Sequence, residues 1–244
     1  MTSAKAPASA IVFGASGAIG RALTARLLAK GEHAAVYAAI RDPAADLPSG
    51  AVPLRFALDD EAAIARALDA VSEPLGLVIV ATGLLHDTAR GIAPEKSWRA
   101  LDPAAMAAVY AANAIGPAVI AKHALPRLPR DRPAAFAVLS AKVGSISDNR
   151  LGGWHAYRAS KAALNMLIRN FAIELARSHP LAVVAALHPG TVDSALSALF
   201  QRGVAPDKLF SPDQSAGYLL DVIAALTPAD SGGLFAWNGQ RLPD

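Results

Sequence analysis

The chain alternates short, mostly apolar runs with amphipathic stretches of helical period, and this alternation limits its fold more than any single residue does. Apolar runs lie at 10–13, 34–40, 52–57, 75–81, 134–140, 181–187 and 234–237. Stretches of helical period lie at 18–30, 61–71, 103–125, 155–177 and 212–226. Strands that are apolar throughout are buried on both faces, and a helix between successive strands returns the chain to start the next strand parallel to the last. The order therefore predicts an α/β fold: a doubly wound parallel sheet of about seven strands with helices on both faces. The 244 residues are 53% hydrophobic, enough for one large core. With no linker-like segment and no repeat, they predict a single domain over 1–244.

Doubly wound sheets bind ligands beyond the carboxyl ends of their strands. Gly14, Gly83, Ser140 and Pro189 each follow a predicted strand and are expected to line one crevice. The turn Gly14-Ala15-Ser16-Gly17-Ala18-Ile19-Gly20 joins the first strand to a helix with an apolar stripe at Ile19, Leu23 and Leu27. Glycines let backbone approach a pyrophosphate, and the amides and dipole of the helix stabilise its charge. Gly14, Ser16, Gly17, Ala18 and Ile19 are thus candidate dinucleotide contacts; a tight turn without a ligand is the alternative. No Gly-Lys-Ser/Thr follows, which disfavours a P-loop. After the second strand, Ile40 and Arg41 stand where an acid often holds ribose hydroxyls. A guanidinium there can bind a ribose 2′-phosphate through paired hydrogen bonds, favouring NADP(H), with NAD(H) the alternative. Arg41 could instead pair with Asp42. Asp59 either accepts from the adenine amino group or caps the following helix.

Tyr157 and Lys161 stand one turn apart on a predicted helix. A free phenol titrates near roughly 10, and a neighbouring ammonium is expected to lower that value toward useful proton transfer. Other chemistries find little support. There is no cysteine, so no disulfide, thiol nucleophile or thiolate-held metal is available. His155 and His188 lack partners at ligand spacing and read as structural or substrate-facing, so no metal site is expected. The net charge of +3 comes from scattered Lys and Arg, which argues against a nucleic-acid partner. The alanine-rich run 104–121, broken by Asn113 and Pro117, reads as a buried helix rather than a membrane span. The first nine residues lack the pattern of a signal peptide, so a cytoplasmic location is expected.

In this order, the glycine turn, Asp59, Gly83, Asn113, the Ser140 segment, Tyr157 with Lys161, and Pro189-Gly190 resemble the short-chain dehydrogenase/reductase family over essentially the whole chain. Residues 144–161 are most similar to the carbonyl reductases of the sniffer and C-factor branch. The resemblance implies a Rossmann fold, NADP(H), and interconversion of a carbonyl and an alcohol on a small uncharged substrate with Tyr157 as general acid/base. It also implies that Ala81, Thr82 and Gly83 line the cofactor, where relatives carry Asn-Ala-Gly. Pro189, Gly190 and Val192 would pack and bind the nicotinamide, Ser194 would meet the pyrophosphate, and Lys161 and Tyr157 would reach the cofactor ribose. Asn113 matches a catalytic asparagine. Pro117 has no N–H to give its carbonyl, which is left free to hold a water linking Lys161 to solvent.

Two departures from the family stand out. The middle glycine is Gly17 rather than residue 18. Counted back from Gly144, the catalytic serine position falls on Ala141. Adjacent strand residues face opposite sides, yet a bend at the strand end would turn Ser140 to the site, and Ser140 is the first choice for the catalytic serine; Ser145 in the next loop is the rival, and neither is a third outcome. Leu196, Leu199, Phe200 and Phe210 mark a segment that closes over substrate or is an ordinary surface loop. A homodimer through the helices at 103–125 and 155–177 is expected. A dinucleotide-binding regulatory protein with little turnover is the alternative to an enzyme.

Overall fold

The computed structural model describes residues 7–244. Nine strands and six α-helices follow in chain order: β1 (Ser9–Phe13), α1 (Ala18–Lys30), β2 (Val36–Ile40), β3 (Val52–Arg55), α2 (Glu61–Asp69), β4 (Leu75–Val80), α3 (Pro103–Tyr110), α4 (Gly116–Ala124), β5 (Ala134–Leu139), α5 (His155–Leu175), β6 (Ala182–His188), β7 (Thr191–Val192), β8 (Leu209–Phe210), α6 (Pro212–Ala225) and β9 (Leu234–Ala236). Seven strands form one sheet in the order β3-β2-β1-β4-β5-β6-β9, every neighbouring pair parallel. This is the doubly wound sheet the alternation predicts, and every long strand and helix starts and ends within a few residues of its expected bounds.

Successive strand residues supply two cores. Ile11, Phe13, Val78, Val80, Phe136 and Val138 meet α2, α4 and α5 through Ile64, Leu68, Ile120, Leu164 and Ile168. The intervening Ala10, Val12, Leu77, Ile79 and Leu139 meet Leu23 and Leu27 of α1 and Leu219 of α6. The central strands are apolar on both faces because both faces are covered.

The chain runs outward from β1 to β3, then crosses back to place β4 on the other side of β1. Helices leave on opposite faces at this reversal, so the loops after β1 and β4 part and open a crevice. Gly14 has φ +82°, and a Cβ there would lie 3.0 Å from Thr82 Cγ2 and 3.1 Å from the Ala81 carbonyl carbon. Gly20, in the first turn of α1, packs still closer: its Cβ would stand 2.2 Å from the Gly14 carbonyl oxygen.

The expectation of a buried helix over 104–121 needs correction. Pro117 has no N–H, and the helix meets this interruption with a π-helical turn, Ala111–Ile115, between α3 and α4. One side packs on α2 and α5. The other side, with Ala104, Ala107, Ala111 and Ile115, is exposed, and only 39% of the most apolar window in Pro103–Arg127 is buried. The paired strands β7 and β8 were not foreseen, because two residues carry no periodicity.

Gly20→Ala is expected to cost about 1–3 kcal/mol by overpacking against the turn, read as a lower urea midpoint at unchanged slope.

Candidate active site

Tyr157 and Lys161 lie in the first two turns of α5 and are both buried, at 9% and 3% exposure. The loop after β5 reaches this helix because residue 144 is glycine; a Cβ there would stand 2.8 Å from Lys161 Cβ. Lys161 Nζ donates to the Leu139 carbonyl at 2.8 Å and stands 5.8 Å from the Tyr157 ring centroid. Burial pushes the phenol up to about 12 and the ammonium down to about 8. The expected lowering of Tyr157 by its neighbour is therefore not what the site shows: loss of solvent, which disfavours the charged form of each group, dominates both.

Asn113 sits inside the π-helical turn with its side chain wholly buried. Its Oδ1 accepts from Leu84 N at 2.7 Å, and its Nδ2 donates to Leu84 O at 2.8 Å and to Ser160 Oγ at 3.0 Å. Ser160 Oγ donates in turn to the Tyr157 carbonyl at 2.8 Å. This clasp joins the connection after β4 to α5. Around Gly83 the groups converge: a Cβ there would lie 3.6 Å from Asn113 Oδ1, 3.8 Å from Lys161 Nζ and 4.0 Å from Leu196 Cδ1.

The two candidate serines point elsewhere. Ser140 Oγ donates to Asn165 Oδ1 on α5 at 2.7 Å, so Ser140 faces the core under α5 and does not line the crevice. The strand end does not bend enough to turn it. Ser145 Oγ donates to the Asp244 carbonyl and accepts from Asp148 N. Ala141, one residue past Ser140, is buried with Leu85 against Tyr157, and Val143, Trp154 and Phe200 pack on them to complete an apolar cluster.

Phe200 stacks edge-on against Trp154 at 4.8 Å and His86 at 6.0 Å, while Trp154 meets the Tyr157 ring at 6.2 Å. His86 Nε2 lies 3.1 Å from the Ala195 carbonyl. Phe200 thus packs inward, Leu196 lies over Gly83 while 38% exposed, Leu199 is exposed at 65%, and Phe210 is buried in β8. Gly190, at φ +79°, leaves room for Phe210, whose Cε2 would be 2.6 Å from a Cβ. His188 is half-buried at the end of β6, and desolvation followed by the Lys142 charge pushes it down to about 4, so it stays neutral. His155 is half-buried at the start of α5.

Several features of the cradle fit a dinucleotide. The first turn of α1 has no acidic residue, and its N-cap, Gly17, makes no side-chain cap. Ser16, Gly17 and Ala18 are exposed and Ile19 half-buried, so the helix amides face open space. Thr82 Oγ1 is buried without a hydrogen-bond partner among the described residues. Arg41 is exposed and makes no ion pair among the described residues; Asp42 accepts from Ala44 N instead, which removes the pairing alternative. Asp59 is exposed in the turn before α2, and Asp60, not Asp59, caps that helix through Ala63 N. Pro189 O accepts from Ser215 Oγ at 2.9 Å, and Val192 O accepts from Ser194 Oγ at 3.3 Å and from Ser197 Oγ.

Sequence reasoning missed Leu84, Leu85 and Glu95, all on the 81–97 connection. Nothing in their spacing marks them, because each acts through a partner distant in the chain.

Lys161 gives a pH signature. Its folded value is depressed below the unfolded one, so between about 8 and 10.5 the unfolded chain binds more protons and stability rises with pH. Tyr157 has the opposite sign and lowers stability above about 10. Lys161→Met is expected to abolish the rise, worth on the order of 3 kcal/mol, in urea titrations from pH 7.5 to 10.

Residues 8–203 match the family profile described as "short chain dehydrogenase". The chain is 34% identical over 149 residues to C-signal of Myxococcus xanthus, covering 60% of this chain and 84% of that protein. Matches to the next curated relatives, yeast and bacterial oxidoreductases, span 50 to 60% of their lengths. Among solved structures, an NADPH-bound carbonyl reductase from chicken fatty liver superposes with a TM-score of 0.84 at 27% identity, covering 98% of this chain and all of that one. Carbonyl reductase Sniffer of D. melanogaster superposes at 0.82 with 21% identity and the same coverage, which speaks for the fold. With the profile matched across most of its length and the sheet order, glycine turn and Tyr-Lys helix in place, the chain belongs to the short-chain dehydrogenase family of oxidoreductases.

Proposed function

We propose that the chain is an NADP(H)-dependent oxidoreductase that interconverts a carbonyl and an alcohol on a small uncharged substrate. The observation that carries the reading is a buried phenol between two surroundings: Lys161 and the dinucleotide cradle on one side, and the apolar cluster of Leu85, Ala141, Val143, Trp154 and Phe200, which we read as the wall of a substrate chamber, on the other. A chamber lined this way favours an uncharged carbonyl, since a charge would lose its hydration without a partner. The free guanidinium of Arg41 and the NADPH held by the chicken carbonyl reductase support the choice of cofactor. When bound, the nicotinamide supplies or accepts the hydride.

The residues of the chain handle the proton. Burial keeps Tyr157 a neutral phenol, the form that can donate to a carbonyl oxygen and then pass its proton to the developing alkoxide. Lys161, held by Leu139 O, offers positive charge to the phenolate left behind. Its value of about 8 lets it carry that charge at neutral pH and lose a proton within reach of it. The Asn113 carbonyl, given no N–H by Pro117, is the group suited to hold a water that returns the proton. Its side chain cannot share that task, being committed to Leu84 and Ser160.

Ala141 beside the phenol leaves Tyr157 as the single hydroxyl in the chamber. This observation also favours a second reading, a dinucleotide-binding regulator with little turnover. NADPH consumption with a panel of uncharged aldehydes, ketones, diketones and quinones separates the two. Turnover lost by roughly 100-fold or more in Tyr157→Phe, with NADPH binding retained, supports the enzyme. Silence of the parent across the panel, although NADPH binds, sinks it. In the same assay Ala141→Ser is expected to raise kcat roughly tenfold by adding a second donor, whereas Ser140→Ala and Ser145→Ala leave it unchanged.

The exposed side of α3 and the π-helical turn, with Ile115 at 57% exposure, and Met166 at 62% on α5 support a homodimer through these helices. Sedimentation velocity should find twice the 25.1 kDa chain mass, and a monomer at micromolar concentration refutes it.

A further inference from the structure

The helix that carries Tyr157 starts in an unusual way. Its N-cap is Trp154, a residue with no side-chain oxygen to cap the first amides, held in the left-handed region at φ +51°. Trp154 is the one non-glycine residue with positive φ among the described residues, and it follows two glycines, Gly152 and Gly153, at +62° and +66°. Side chains adopt this conformation only when surrounding contacts over-determine it. Those contacts come from 59 positions earlier in the chain, where the carbonyl of Glu95 accepts from Trp154 N at 2.6 Å. The Glu95 carboxylate accepts from Ala156 N, with its oxygens at 3.2 and 3.4 Å. Glu95 is itself buried, at 7% exposure, and a Cβ on Gly153 would lie 3.4 Å from its carbonyl oxygen. No salt bridge to Glu95 is present among the described residues, so the partner of its carboxylate is the Ala156 amide in the first turn of α5, where a negative charge also meets the positive end of the helix dipole.

We propose that Glu95 is the positioning residue for the proton-transfer site: it caps α5 in place of a local Ser or Asp and thereby sets both the Tyr157 phenol and the Trp154 wall of the substrate chamber. The inference rests on the oxidoreductase reading for its kinetic consequence only. A local cap would fix the helix end alone. A remote one ties it to the 81–97 connection, which also supplies Leu84 to the Asn113 clasp and Leu85 to the chamber. The connection, the π-helical turn and the start of α5 therefore form one hydrogen-bonded frame around Tyr157.

The test compares Glu95→Ala, Glu95→Asp and Glu95→Gln with the parent in four measurements: thermal unfolding, NADPH dissociation constant by nucleotide fluorescence, kcat and KM with the best carbonyl of the panel, and the near-UV dichroism of Trp154. The Trp154 band is identified as the difference between the parent and Trp154→Phe. Glu95→Ala is expected to lower kcat roughly 100-fold, because a shift of about 1 Å in a reacting group has that effect, while leaving the NADPH dissociation constant unchanged. It should also weaken the Trp154 band, since the Trp154 amide keeps its main-chain partner at residue 95 but the helix start that follows loses its cap. Glu95→Gln, whose amide oxygen still accepts from Ala156 N, should recover most of both signals. Glu95→Asp, one methylene too short, should not, and it decides the matter if the alanine variant fails to fold. Parent kcat and an intact Trp154 band in folded Glu95→Ala or Glu95→Asp would overturn the proposal. Should the parent itself turn over nothing, the oxidoreductase reading fails, and the Trp154 band alone decides whether Glu95 sets the start of α5.

Discussion

The structure depends on a close approach of backbone to backbone at the point where the sheet reverses its winding. Gly14 lets the first turn pass against Ala81 and Thr82, and Gly20 lets α1 pack on that turn with no side chain between them. A Cβ at either place would push β1, β4 and α1 apart. The parallel order around β1 gives the chain its crevice, and these two glycines keep the crevice floor narrow enough for helix amides to face it. Arg41, Gly83 and the Tyr157 helix all take their places relative to this floor.

The opposite wall is built on a different principle. Here the fold buries polar groups and satisfies them one by one. The Asn113 side chain commits its amide to Leu84 and Ser160, Lys161 is tied to Leu139, and Glu95 serves the Ala156 amide at the start of α5. Burying an ammonium and a phenol this deeply costs stability, and the displaced titrations of Lys161 and Tyr157 measure that cost. The same burial gives each group a protonation behaviour that neither would have in water, the kind of displacement that clusters at functional sites.

The serine question shows how a one-residue step decides chemistry. Leu139 faces the α1 side of the sheet and Ser140 the α5 side, where Asn165 takes its hydroxyl. Ala141 is the residue that reaches Tyr157. Alternation along a strand made this outcome readable as one of three. Choosing among them needed the position at which β5 ends and the loop turns, which depends on Gly144 lying against Lys161.

Periodicity and turn chemistry in the sequence were enough to determine the sheet, its helices, the crevice and the helix bearing Tyr157 and Lys161, because each is a local pattern repeated over four or more residues. The interruption at Pro117 was equally legible, since a missing N–H is a property of the residue itself. Tertiary structure alone decided what depends on contacts across the chain. Mutual burial, not the neighbouring charge, sets the titration of Tyr157 and Lys161. Asp60 rather than Asp59 takes the helix cap, and one side of 103–127 stays exposed because α2 and α5 cover only the other. Glu95, a lone carboxylate in a connecting segment, gains its role from a helix end 60 residues away, and no spacing rule in one dimension encodes a partner that only folding brings near.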